Sequence, residues 1–429
     1  VGSEMCIRDR FSGGWRLSEE EFMKNVKFVN ELKLRLSYGV VGNQSGISRY
    51  DGMQLYNFNS VNGAYIGDGR ISYIKTSGEI ATMGRSWERI HNYNLGLDFH
   101  LFDSRLQGTV ELFMKKNNNM LIAVAYPGIL GDKAPASNSG KFEAKGYEGT
   151  VTWSDKIGKV NYHVGGTFTY ADNKLVDYGG VTVFKSGFVD KQQGYSLNSV
   201  FGLKYCGKIQ TEEQLRKYIY KYYNSNGIGM PKDLRLGDNM YEDVNGDGKL
   251  DEKDYVYLGS DDPKISYSFN VGIEWNNFDL SAVFQGTAKR TIFRDESNDN
   301  YRIPMRAAHL NSTTQSVGNV WSPDNRDGRY PTYTNISTIN NYNYQCSSWS
   351  VENGNYLRLK SLTLGYNFPA SLLSKTKAIS RLRIYVSGAD LWEVSKINDG
   401  WDPEASRKVS GNGRFPFNRT CTVGLDVTF

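Results

Sequence analysis

The sequence predicts an all-β chain, and three observations carry that prediction: alternation in its last ten residues, an aromatic- and glycine-rich composition, and paired strands whose short turns alternate with long connections. In residues 420–429, Cys421, Val423, Leu425, Val427 and Phe429 share one side of an extended strand, while Thr420, Thr422, Gly424, Asp426 and Thr428 share the other. One side suits hydrocarbon and the other water, as a closed barrel in a bilayer requires. A soluble sandwich could end the same way, so the remaining strands must decide. The 429 residues include Phe 20, Trp 8 and Tyr 29, and 45 Gly against 10 Pro, which favours strands and turns over helices. That length holds two or three ordinary domains or one large barrel. No run of about 18 apolar residues exists, which excludes a transmembrane helix. The mean hydropathy of -0.53 fits barrel strands, since only half their positions meet lipid.

Taken in order, Glu4, Met5, Cys6, Ile7, Arg8, Asp9 and Arg10 resemble the translation of a transposon adapter used in DNA sequencing. Residues 1–10 are therefore set apart as an expected artefact, and 11–429 as the barrel-like portion. Residues 11–18 read as strand. Ser18 and Glu21 are placed as a capping box, predicting a helix to about Asn30. Leu32, Leu34, Leu36 and Tyr38 share a strand face ending near Val41, and residues 42–87 read as a long loop with room for short strands inside.

A rhythm then sets in. His91, Tyr93, Leu95, Leu97, Phe99 and Leu101 alternate, Asp103, Ser104 and Arg105 turn the chain, and Leu106, Gly108, Val110, Leu112 and Met114 return. A long connection is expected from about Lys115 to Glu143. Tyr147, Gly149, Val151 and Trp153 lead to a turn at residues 155–158, and Val160 to Tyr170 go back. A second long connection, with a helix from the cap Thr211 through Tyr223, reaches about Pro263. Ile265 to Trp275 and Phe278 to Phe284 flank Asn276 and Asn277, which suit the positive φ of a type I′ hairpin. A third long connection, about 288–354, precedes strands near 356–368 and 381–392 and the terminal strand. All short turns thus fall at one end of the sheet, as in outer-membrane barrels with short periplasmic turns and long extracellular loops. Trp153, Trp275, Phe278 and Phe429 would form the aromatic girdle at the turn end.

Charge and motifs mostly exclude. The net charge of +5 is small and no basic stripe interleaves with aromatics, which argues against nucleic acid. Cys6, Cys206, Cys346 and Cys421 lie in no metal or disulfide spacing. No catalytic motif occurs, and His91, His100, His163 and His309 are isolated, so no enzyme is expected. Glu111, Glu274 and Asp426 fall on inward positions and would solvate a wet lumen.

Several stretches resemble the SusC/RagA family of TonB-dependent outer-membrane transporters: residues 32–43 (Leu-Lys-Leu-Arg-Leu-Ser-Tyr-Gly-Val-Val-Gly-Asn), 87–89 (Trp-Glu-Arg), 92–98, 145–149, 243–251 and 356–366. The terminal residues also resemble the signal by which outer-membrane barrels reach their insertion machinery. The resemblance covers about 11–429. It implies a barrel of about 22 strands filled by a plug, a SusD-like surface lipoprotein as lid, and import powered by the TonB complex through an N-terminal part. The implied location is the outer membrane of a Gram-negative bacterium, and the implied cargo a bulky oligosaccharide or peptide. Only about ten strands are readable here, so the chain is expected to be the C-terminal portion of an incomplete antiparallel barrel without its plug. The alternatives are a passive outer-membrane porin or a secreted calcium-dependent glycan-binding β-protein.

Two groups of candidate site residues remain. Asp243, Asn245, Asp247, Asp251 and Asp254, with the carbonyl of Lys249, match the oxygen spacing of a calcium loop. Asp254 stands where a bidentate Glu is usual, and an Asn/Asp/Gly turn bonding its own backbone is the competing reading. Calcium is the one candidate cofactor and none is required. Tyr330, Tyr333, Tyr342, Tyr344 and Trp349 in the third long loop would contact sugar, peptide or the lid lipoprotein, or else pack the loop on itself.

Overall fold

The computed structural model describes residues 9–47, 50, 52–66, 69–77, 81, 84–123, 136–179, 191–222, 231, 233–293, 314, 316–374, 378–397, 401–404 and 418–429. Eleven strands form one sheet: β1 (Arg10–Arg16), β2 (Val29–Asn43), β3 (Glu88–Leu101), β4 (Leu106–Ala123), β5 (Ala136–Ile157), β6 (Val160–Asp177), β7 (Ile265–Trp275), β8 (Phe278–Ala288), β9 (Tyr356–Asn367), β10 (Arg381–Ser395) and β11 (Thr420–Thr428). Each is antiparallel to its neighbours in strict chain order. No strand crosses over, so every connection joins adjacent strands and the connections fall alternately at the two ends.

The ladders put unlike chemistry on the two faces. Leu36, Leu95, Leu112, Tyr147 and Tyr170 form one continuous cross-strand row. One residue along, Arg35, Gly96, Glu111, Glu148 and Thr169 form the next row on the opposite face. The apolar face has nothing packed on it: Leu36 is 55% exposed, Val386 53% and Val423 76%. A soluble sandwich would bury these side chains against a second sheet, and among the described residues none lies there. Buried apolar residues gather instead in the long connections, where Leu203, Ile209, Tyr218, Tyr222, Leu234, Tyr241, Leu250 and Tyr342 form the largest cluster.

Aromatic rings mark both margins of the exposed apolar face. At the turn end Phe28 stacks on Phe102 at 5.7 Å, and Phe102 meets Trp153 at 6.2 Å. Trp275 meets Phe278, and Phe278 meets Tyr366, at 6.4 and 4.9 Å. Phe429 is fully displayed at the same end. Toward the long connections Tyr38 meets Tyr93 at 5.0 Å, and Tyr147 meets Tyr170 at 5.2 Å. From Tyr162 to Tyr170 is about 27 Å of strand, or about 20 Å of height at a tilt of about 40°, near the band of about 25 Å that lipid requires.

Four details depart from the sequence expectation. The helix from Ser18 does not form: residues 17–23 make only single 3-10 turns, and Glu20 is extended at φ -75, ψ 149. Helices this short depend on packing an apolar face, and Phe22, which would supply it, is exposed; Glu20 instead accepts a 2.8 Å hydrogen bond from Trp15 Nε1. The connection expected from Lys115 to Glu143 is mostly strand, because β4 and β5 keep pairing through Asn117–Phe142 and Met120–Gly140, past register shifts. The turn expected at 155–158 sits at Gly158 and Lys159, where Gly158 has φ 60. In the hairpin between β7 and β8, Asn276 alone of the two turn residues takes positive φ, 53.

The helix expected in the second long connection is present as α1 (Glu212–Tyr222). Thr211 Oγ1 accepts the Gln214 amide at 3.2 Å, satisfying one orphan donor of the first turn. The first long connection contains a hairpin, Leu55–Ile66 with Gly69–Ser77, and the third contains α2 (Ser337–Tyr344). Cys206, Cys346 and Cys421 are free thiols; Cys6, His309 and residues 1–8 of the adapter-like segment lie outside the described residues.

Candidate functional site

The wet face of the sheet is braced by arginines that reach across glycines. Arg35 on β2 forks onto Asp98 of β3, with Nε to Oδ2 at 2.7 Å and Nη2 to Oδ1 at 2.9 Å. It then reaches Glu111 Oε1 of β4 at 2.6 Å. The reach passes over Gly96, where a Cβ would stand 2.9 Å from Nη2. At the other side of the sheet Arg383 on β10 contacts Asp279 Oδ2 of β8 at 2.6 Å, passing over Gly365 of β9, whose added Cβ would stand 2.6 Å from both groups. Arg–carboxylate contacts of this kind are planar, directional and charge-assisted.

All three acids expected to line a lumen are on this face. Glu111 holds Arg35, Glu274 accepts from Asn161 Nδ2 at 3.5 Å, and Asp426 faces Arg383 at 3.3 Å. Thr167 and Ser268 share a hydrogen bond of 2.7 Å. Between β1, β2 and β3 a depression of about 280 Å³ is lined by Ser12, Gly14, Lys33, Ser37 and Asn94.

A further cluster closes over the wet face near the long connections. Arg358 of β9, with a side chain 1% exposed, pairs with Glu393 of β10 and with Asp402 Oδ1 at 2.7 Å and Glu404 Oε2 at 3.1 Å. Lys360 joins Glu404 at 2.8 Å and Asp390 at 3.1 Å. Residues 401–404 are thus strapped onto the wall. Sequence reading missed this cluster; its one readable signal was the opposite charge of Arg358 and Glu393, which face each other across the ladder.

The calcium-loop candidates form a self-bonded turn. Asp243 accepts the amides of Gly246 at 2.7 Å and Gly248 at 3.0 Å. Asp254 accepts those of Val244 at 2.9 Å and Asp251 at 2.9 Å. Asn245 accepts from Asp247, Asp247 from Lys249, and Asp251 from Lys253. These are Asx turns, and among the described residues no three His, Cys, Asp or Glu side chains gather to hold a metal. Asp243 sits below the ordinary aspartate range: burial opposes this, and the amides of Gly248 and Gly246 with Lys221 outweigh it.

The aromatic candidates divide. Tyr342 is 3% exposed, and its hydroxyl lies 2.6 Å from that of Tyr218 in the loop core. Tyr330 is also buried, edge-on to Trp349 at 6.4 Å. Both are enclosed by loop packing, the competing reading of this loop, which gives the loop its own core. Tyr333 is exposed, and Tyr344 and Trp349 are half-buried with rings 5.5 Å apart.

A sheet with one lipid-compatible face between aromatic margins, one charged face and its longest connections at a single end is the wall of a transmembrane β-barrel of the outer-membrane type. Comparison with known proteins makes this specific. Residues 9–228 match the family model "TonB dependent receptor-like, beta-barrel", and the chain belongs to that family. It is 28% identical to TonB-dependent receptor P26 of Formosa agariphila over 97% of this chain and 42% of the relative. It is 24% identical to TonB-dependent receptor SusC of Bacteroides thetaiotaomicron over 97% of this chain and 39% of the relative. A solved structure of the RagAB peptide transporter superposes with a TM-score of 0.74 at 23% identity, over 98% of this chain and 43% of that one. The SusC/RagA resemblance read from the sequence therefore holds, and the chain spans about two fifths of the length of its relatives.

Proposed function

We propose that this chain forms part of the wall of an outer-membrane importer that takes up a bulky oligosaccharide or peptide, driven by TonB and covered by a SusD-like lipoprotein. The observation that carries the reading is the two-faced sheet: an apolar side bounded by aromatic rows, and a side whose charges are held in place for a hydrated passage. The names of the relatives, a SusC receptor and a peptide transporter, support active import and this choice of cargo. Relatives named as receptors and transporters also argue for passage without covalent chemistry. Tyr333, Tyr344 and Trp349, at the long-connection end, are the proposed contacts for cargo or lid. Deleting the complete gene should abolish uptake of a labelled oligosaccharide or peptide, and inactivating TonB should do the same. Uptake that persists without TonB would favour the passive porin.

A secondary proposal is calcium at residues 243–254, where five side chains and the Lys249 carbonyl offer the oxygen donors that this ion prefers. Calorimetric titration of the folded protein with calcium at about 1 mM, the range of weak extracellular sites, should give saturable heat. Absence of heat returns the loop to its self-bonded turn.

A further inference from the structure

Beyond the tyrosine row at the long-connection end, the lipid-compatible face of β4 to β8 changes from apolar to basic. The row Leu112, Tyr147, Tyr170, Ile265, Ala288 is the last apolar rung. On the same face Lys145 and Lys264 flank Asp172: Lys145 opposes it in the ladder and Lys264 Nζ is 2.9 Å away. One rung further, Lys116 and Lys174 flank Glu143, with Lys116 at 3.3 Å. Lys289 lies over the Tyr170 ring at 5.6 Å. Each acid thus has two lysines, and Lys289 has a ring in place of an acid. Lys145, Lys174 and Lys289 are exposed.

The two ends of this face differ. At the turn end Arg105 lies 3.3 Å from Asp155 and 4.0 Å from Asp103. Further toward the long connections Lys141 pairs with Asp177 at 3.5 Å and Arg89 adds another cation. The two-rung lysine array therefore lies at one margin of the bilayer. A headgroup at that margin would meet ammonium groups directly above a tyrosine ledge on which its acyl chains could rest.

We propose that this two-rung lysine array binds the phosphate groups of an anionic lipid in the membrane leaflet at the long-connection end. Phosphate monoesters carry a charge of about -1.5 to -2, and lysine ammonium groups serve as compact, multiply donating partners for them. The flanked acids hold each pair of lysines at fixed spacing while leaving one charge per rung unneutralised. The proposal rests on the membrane-barrel reading.

The test uses the complete protein in detergent, titrated with bis-phosphorylated lipid A and with its dephosphorylated form. The phosphorylated lipid should bind about tenfold or more tightly. The variant Lys145→Gln/Lys174→Gln/Lys289→Gln should lose that preference, the triple Lys→Arg variant should keep it, and Lys24→Gln/Lys27→Gln at the turn end should not change it. An unchanged preference in the triple Gln variant, or equal competition by inorganic phosphate, overturns the proposal. Quenching of Trp153 and Trp275 by brominated lipid separates the two levels of failure. Quenching with no phosphate preference overturns this proposal alone, whereas no quenching overturns the barrel reading and this proposal with it.

Discussion

Tyr218, Tyr241 and Tyr342 form a hydrogen-bonded centre in the core of the long connections. Tyr218 and Tyr342 share a 2.6 Å hydroxyl contact, and Tyr218 Oη accepts the Tyr241 amide at 2.8 Å. Tyr342→Phe removes the hydroxyl contact while the Tyr218 hydroxyl keeps its bonds to the Tyr241 backbone, so it should cost about 1 kcal/mol, read as earlier protease cleavage within residues 191–222 under mild heating. Burial pushes all three phenols above the ordinary tyrosine range. A raised folded value means that this contribution is complete below pH of about 10, the unfolded value, and is lost as the pH climbs toward the folded ones. Ultraviolet titration should show exposed tyrosines ionising first and these three only as the loops open; early ionisation of all tyrosines would contradict the packing. Such residues were only half legible: composition announced a tyrosine-rich loop, but whether a ring faces inward depends on contacts such as Tyr218 with Tyr342, 124 positions apart. Arg358 was illegible for the same reason, since two of its acids lie on a distant strap.

At the scale of the strand, a period of two is a strong local signal, and β3, β7 and β8 were legible almost to the residue. Legibility failed where the period breaks. The run Asn117 to Asn119 and the register shifts of β4 hide pairing that continues to Ala123, and the capping pattern at Ser18 competed with the closure of β1 on β2. Face assignment gives a sharp contrast between nearby positions on β3. Leu97→Arg, on the lipid side midway between Tyr93 and Leu101, should destabilise the folded protein by about 2 to 4 kcal/mol, whereas Asn94→Arg on the wet side should cost far less. Urea unfolding in lipid vesicles measures both, and equal penalties would mean that the two faces are not in different solvents.

For the whole molecule, β1 and β11 end the sheet without pairing to each other. Unpaired strand edges recruit other edges, so this chain refolded alone should associate into dimers and larger species in detergent, seen by sedimentation. A stable monomer would require edges already satisfied. The two-faced chemistry was legible from the sequence because it repeats along every strand; the strap at 401–404 and the shared loop core were not, because neither repeats.

That shared core draws on the connections before β7 and after β8, since Leu203, Tyr218 and Tyr241 from one pack with Tyr342 from the other. The intervening hairpin therefore carries a single rigid cap on two stalks instead of two independent flaps. Motion of either connection would swing this cap as one lever, and a pull on one stalk would reach the other.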